Sequence, residues 1–125
     1  MPSAKIDLSV QISKLLMEYG DDIRDVINTV MPEVADKTVQ QLKTTSPKRS
    51  GEYAKGWRAK PWAYNSNYRG VTIHNAVKPQ ITHLLEFGHA KRNGGRVAAE
   101  PHIKDAEDFA EKTLIEEVTG RISKL

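Results

Sequence analysis

Cysteine is absent from the 125-residue chain, and with it go disulfides, thiol nucleophiles and thiolate metal sites. No stretch approaches the roughly eighteen consecutive apolar residues of a membrane-spanning helix. The opening residues, MPSAKIDLSV, lack the apolar core of a secretory signal, which implies a cytoplasmic product. No internal repeat or low-complexity segment is present. Hydrophobic residues make up 38% and the mean hydropathy is -0.56. The core is therefore modest, and part of the stability is expected from neighbouring subunits. The length suits one domain over residues 1–125.

The net charge of +3 conceals an asymmetry. Residues 43–104 hold 12 Lys/Arg against 3 acids, whereas residues 1–42 hold 4 against 7 and residues 105–125 hold 3 against 6. The chain is acidic at both ends and basic in the middle. Such a field favours anionic partners, or docking of one subunit's ends on another's middle. The plainer reading is a set of helices carrying solvated Asp and Glu.

From Ile6 to Leu42 the apolar residues recur by threes and fours (Ile12, Leu15, Leu16, Tyr19, Ile23, Val26, Ile27, Val30, Val34, Leu42), one stripe on a helix. Asp7 is a candidate N-cap. Gly20-Asp21-Asp22 and Pro32 interrupt the stripe, and proline removes an amide. The expectation is a helix pair or one kinked helix, the second part running from near Pro32 to near Lys43. The turn-rich TTSPKRSG stops it. YAKGWRAKPWAY and YRGVTIHNAV alternate and predict an antiparallel hairpin. Trp57, Ala59 and Pro61 share one face and Arg58 and Lys60 the other, with Pro61 at an edge. Val71 and Ile73 point one way, Thr72 and His74 the other. QITHLLEFG suits a short helix capped by Gly88, with Leu84, Leu85 and Phe87 packed into the core. Residues 89–98, centred on Gly94-Gly95, read as a mobile loop. Pro101 opens a final helix striped by Ile103, Ala106, Phe109, Ala110, Leu114, Val118 and Ile122, ending near Gly120. Asp105, Glu107 and Asp108 favour its N-terminal end. The fold class is α+β: a small antiparallel sheet, hairpin plus a possible extra strand, packed against a long N-terminal helix or helix pair and a C-terminal helix.

His83, Glu86 and His89 spell H-x-x-E-x-x-H, but zincins place their histidines at i and i+4, and Gly88 ends the helix before His89. Two histidines beside a partly buried glutamate is the better reading, and no metal or cofactor is expected. Ser46, Ser50 and Ser66 lie in turns without a nucleophile-elbow context. KRNGGR lacks the Gly-Lys-Ser/Thr ending of a phosphate loop. No enzyme is expected. Lys48, Arg49, Lys55, Arg58, Lys60 and Arg69 are interleaved with Tyr53, Trp57, Trp62, Tyr64 and Tyr68, which suits nucleic acid: cations for the backbone, aromatics for stacking. Against this, a hairpin in a small domain needs its aromatics for its own core.

Two segments together resemble one family. SPKRSGEYAKGW (46–57), after a long helix, matches a P-x-[RK]-[ST]-G-x-[LY] turn. HLLEFGHAKRNGGRVAAEPHIKDA (83–106) matches an apolar run ending E-[FY]-G-[TH], a variable loop, then x-P-[FH]-[LIM] and a helix. This is similar to the head–tail joining, tail-completion (neck, minor capsid) proteins of tailed bacteriophages, over about Val30 to Val118. Two positions depart: His102 where the family often has Phe, and His89 for the commoner Thr. The resemblance implies a non-catalytic virion protein of the neck, assembled in the bacterial host cytoplasm. Copies would form a ring, six-fold, around double-stranded DNA, between the head-closure or adaptor protein and the tail-tube or tail-terminator protein. No membrane is involved. Pro47, Gly51, Glu86, Phe87, Gly88 and Pro101 would be the structural motif residues, and Lys48, Arg49, Arg58, Lys91, Arg92 and Arg96 would face a partner. Glu86 would cap backbone amides or pair with Arg49 or Arg58. The alternative is a small basic nucleic-acid-binding protein; a metal-dependent hydrolase comes third.

Overall fold

Gly20, not Pro32, divides the N-terminal helical stretch. The computed structural model describes residues 5–48, 51–63 and 69–123. Helix α1 (Ser9–Tyr19) stops where Gly20 adopts φ 76°, a conformation that costs glycine little. A 3-10 turn (Asp21–Ile23) leads into α2 (Arg24–Thr45), which carries Pro32 in its interior. Pro32 lies on the exposed face of α2. On the opposite face Ile27, Val30, Met31, Val34, Ala35, Val39 and Leu42 are all buried. Packing on that side outweighs the proline.

Asp7 does not occupy the cap position of α1, which falls on Leu8. Its carboxylate accepts from the Ser9 amide at 2.8 Å, so it still serves the first turn. Ile6 belongs to no helix. It pairs with Ile73 as part of a short strand, β1 (Ile6–Asp7), the possible extra strand of the sheet.

Strands β2 (Trp57–Ala63) and β3 (Arg69–Asn75) form the antiparallel hairpin, and the sheet order is β1-β3-β2. The register sets Trp57 against Asn75, Ala59 against Ile73 and Pro61 against Val71. Trp57, Val71 and Ile73 are buried against the helices while Arg58 and Lys60 are exposed. Pro61 sits in the edge strand β2, where its missing amide removes no ladder bond. The segment before β2 is not strand: Glu52–Lys55 form one helical turn, α3, entered through Gly51.

A 3-10 turn (Pro79–Ile81) precedes α4 (Thr82–Phe87). Residues 89–98, expected as a mobile loop, instead contain a two-stranded hairpin, β4 (His89–Ala90) and β5 (Arg96–Val97), turned by Gly94 and Gly95. Strands of two residues show almost no alternation, so their composition reads as loop. Helix α5 (Ile103–Ile122) starts two residues after Pro101 and continues past Gly120. Its buried stripe (Ile103, Ala106, Ala110, Leu114, Val118) meets α2. The fold is α+β, with α2 lying between α5 and the sheet.

Candidate functional site

The segment from α4 to α5 reverses the apolar pattern read from its sequence. Thr82 and Glu86, one turn apart, form the buried face of α4, whereas Phe87 is 46% exposed. Leu85 packs partly against the core. The helix turns its polar side inward because a helix N-terminus waits there.

That N-terminus belongs to α5, whose cap residue, His102, contributes no side-chain capping bond. The Glu86 carboxylate takes its place from another element. Oε1 accepts from the amides of His102 (2.7 Å) and Ile103 (2.8 Å), and Oε2 from that of Lys104 (3.0 Å). First-turn amides have no partner inside their own helix, and the helix dipole favours a negative charge beside them. The mutual arrangement extends to α4: its Leu85 carbonyl accepts from the Glu100 amide (2.7 Å) and its Phe87 carbonyl from Arg96 (3.1 Å). Gly88 makes the turn between them. It has φ 74°, and a Cβ there would lie 2.6 Å from the Val97 carbonyl oxygen. Of the two roles expected for Glu86, the structure contains the amide cap. Arg58 instead donates to the carbonyls of Lys55 (2.7 Å) and Trp57 (2.9 Å), and Arg49 lies outside the described residues.

His102 fills a slot between aromatic rings, with Tyr53 and Trp57 edge-on at centroid distances of 5.5 and 6.1 Å. The Glu100 carbonyl, 2.8 Å from Nδ1, only accepts, so Nδ1 carries the hydrogen. Nε2 is hydrogen-bonded to the Tyr53 hydroxyl at 2.6 Å, and Nδ1 also lies 3.3 Å from Glu86 Oε1. Burial, helped by the Glu86 charge and opposed by a hydrogen bond from Thr82, pushes the Tyr53 hydroxyl up to about 12. The Trp57 indole donates to Ser46 Oγ (2.8 Å), which itself donates to the Leu42 carbonyl. Ser46 is therefore a buried structural link. Ser50 and Ser66 fall outside the described residues. Asn75 completes the set, donating to the Tyr53 carbonyl (2.7 Å) and accepting from the amides of Val77 and Lys78.

These bonds hold open an apolar cleft of about 270 Å³. Pro47, Gly51 and Tyr53 come to it from the α2–α3 side, and Lys78, Ile81, Leu84 and Leu85 from the α4 side, with His89 from β4. Leu84 thus lines the cleft. Of the cations assigned to a partner surface, Lys48, Lys91 and Arg92 are exposed, and Arg96 is exposed while tied to Phe87. Lys55 and Lys60 are exposed too, whereas Tyr53 and Trp57 are core. Tyr64 and Tyr68 lie outside the described residues. In H-x-x-E-x-x-H the glutamate has both oxygens on amides, and His89 lies beyond Gly88 in β4. Among the described residues no group of three or more His, Cys, Asp or Glu side chains could hold a metal, and no helix is long and apolar enough to cross a membrane.

Neither the cleft nor the Tyr53–His102 pair has a local sign in the sequence, because both join segments far apart in the chain. The Asn75 turn did leave a local sign: an Asn closing a strand pattern shortly before Pro79, as in Asx turns.

A family model described as "Bacteriophage HK97-gp10, putative tail-component" matches residues 11–88. The chain belongs to the HK97-gp10-like family. The match takes in α1 from Gln11, α2, α3, the β2–β3 hairpin and α4, and ends at Gly88. The capped return into α5 follows it. No curated protein and no solved structure matches the chain. Membership in the HK97-gp10-like family makes the protein a phage tail component, and so a component of the virion.

Proposed function

We propose that this tail component acts in the neck, as a structural ring around the DNA channel that joins head-completion proteins to the tail tube. The observation that carries the reading is the family match over residues 11–88. The architecture agrees with it. The polar groups around α4 and α5 are occupied in holding one segment against another, which is framework chemistry. Lys48, Lys91 and Arg92 are each exposed and would meet acidic partners or the phosphates of passing DNA. The partners in this reading are further copies of the chain in a six-fold ring, a head-closure or adaptor protein, and a tail-tube or tail-terminator protein.

Gold-labelled antibody on intact particles tests the placement. Label at the head–tail junction is expected; label along the shaft or at the distal tip would overturn the neck while leaving a tail component. A second reading, a small nucleic-acid-binding protein, draws on the outer face of the sheet, where Lys5, Lys60 and His74 border a shallow hollow. DNA binding that falls steeply with salt in a chain absent from purified particles would favour it.

A further inference from the structure

We propose that the cleft between α3 and α4 is a socket for helix α1 of a second copy of this chain, with Met17 the side chain it receives. The proposal rests on the ring reading and gives that ring a contact. Helix α1 buries Gln11, Ile12 and Leu15 on one side, yet leaves Val10 58% and Met17 88% exposed, two turns apart on the other. A methionine so exposed adds nothing to its own core, and methionine adapts well to an irregular apolar recess. The recess exists: Ile81, Leu84 and Leu85 line it, and Val77 and Phe87 nearby are 47% and 46% exposed. Among the described residues no α1 side chain lines the cleft of its own chain.

Charge identifies the occupant. Met17 is followed by exposed Glu18, Asp21 and Asp22. The cleft is flanked by exposed Lys48, one residue past Pro47, and by Lys91 and Arg92, just past His89. Glu52, the acid on α3, is paired with Lys78 at 3.5 Å. An acidic ridge and a basic-rimmed recess attract one another between copies. His89 Nδ1 is buried with no hydrogen-bond partner among the described residues, which leaves one polar bond for the incoming helix to make. Ridge and recess are different surfaces, so the contact is head-to-tail and generates a ring if it closes.

The cysteine-free chain permits a clean test with the full-length protein. Under mild oxidation at high concentration, the double variant Met17→Cys with Leu84→Cys should give a ladder of covalent multimers. Each single variant should remain monomeric on the same non-reducing gel. Met17→Glu, at a solvent-exposed site that leaves folding intact, should raise the half-assembly concentration in light scattering about tenfold or more. Dimers from either single variant would overturn the socket by showing like-with-like contact. So would an unchanged assembly curve for Met17→Glu, or a chain monomeric at every concentration. Gold label at the neck with no ladder would sink the socket alone, and a ladder without neck label would sink only the neck placement.

Discussion

Two parts of this molecule are held together by different physics. Between α2 and α5 the contact is an apolar stripe on each helix, in which many small dispersion and burial contributions overlap and no single atom is indispensable. Between α4 and α5 the contact is a few directional hydrogen bonds to Glu86, a carboxylate only 5% exposed. Buried apolar packing tolerates exchange of one shape for another of equal volume. A buried carboxylate on three amides does not, because each amide left behind is a desolvated donor without a partner. Substitutions that keep size should therefore be mild in the first region and severe in the second.

The largest effect is expected from Glu86→Ala, about 3–5 kcal/mol of unfolding free energy, since it strands two buried amides and a part-buried third at once. The telling pair is Glu86→Gln beside Leu114→Met. Both preserve volume, but glutamine turns an N–H toward donors and removes the charge, at about 2–3 kcal/mol. Leu114→Met, in the fully buried stripe of α5, should cost less than about 1.5 kcal/mol. Denaturant melts of the two proteins measure the gap, and equal midpoints would erase the distinction drawn above. If Glu86→Gln also assembled normally, Glu86 would have no structural role.

Gly88→Ala sharpens the same contrast through backbone geometry. A methyl group there meets the Val97 carbonyl oxygen at 2.6 Å and must adopt φ 74°. A cost of about 2–3 kcal/mol follows from positive-φ strain and the clash. Gly120→Ala in α5, where a Cβ meets nothing within 4 Å, should instead stabilise by up to about 1 kcal/mol through helix propensity. Parallel thermal melts should shift the two in opposite directions.

How much of this was legible beforehand follows the same division. Periodic, apolar elements could be read: the stripe of α5, the inward faces of the hairpin and the edge position of Pro61 all follow from local spacing. The elements that escaped are those whose cause is distant in sequence. Pro32 looked like the break because its effect on a free helix is large, yet burial along α2 overrides it and the actual break is at Gly20. Phe87 looked like core because it ends an apolar run. The inward side of α4 was taken by Glu86, whose partners lie 16 to 18 residues further on. Glu86 stands out in the sequence by its place in the run, but only the fold chooses between capping amides and pairing with an arginine. His102 departs, in sequence, from an aromatic position. That its ring still stacks and also binds Tyr53 and Glu100 is a property of the assembled site.

Tyr53 supplies a smaller effect with a sign that can be worked out. Its hydroxyl ionises at 10 in the unfolded chain and at about 12 in the folded one. Between those values the folded state holds the proton more tightly. The stabilisation from this group is complete below pH 10 and is lost as pH rises toward 12. A two-unit shift corresponds to about 2–3 kcal/mol across that window. Lysines also titrate there, so the wild-type slope alone decides nothing. Tyr53→Phe removes the hydroxyl and should start about 1 kcal/mol less stable at pH 8, then decline more gently above pH 10. Two parallel stability–pH curves would mean that the phenol is not held in its neutral form.

The smallest effect belongs to the rim of the helical frame. Arg121 on α5 reaches Glu33 on α2 at 2.7 Å and Glu117 at 3.9 Å, with all three side chains more than a third exposed. By distance the Arg121–Glu33 bond is as short as the bonds to Glu86. Solvent screening and side-chain entropy nonetheless limit such pairs to about 0–1 kcal/mol. Arg121→Ala should therefore lower stability by about 0.5 kcal/mol, and most of that should vanish in high salt. The loss from Glu86→Gln should barely respond to salt, because its partners are fixed amide dipoles, two of them in buried bonds. Similar salt dependence in the two variants would show that ions reach Glu86, and the division between a packed frame and a hydrogen-bonded return would fail there.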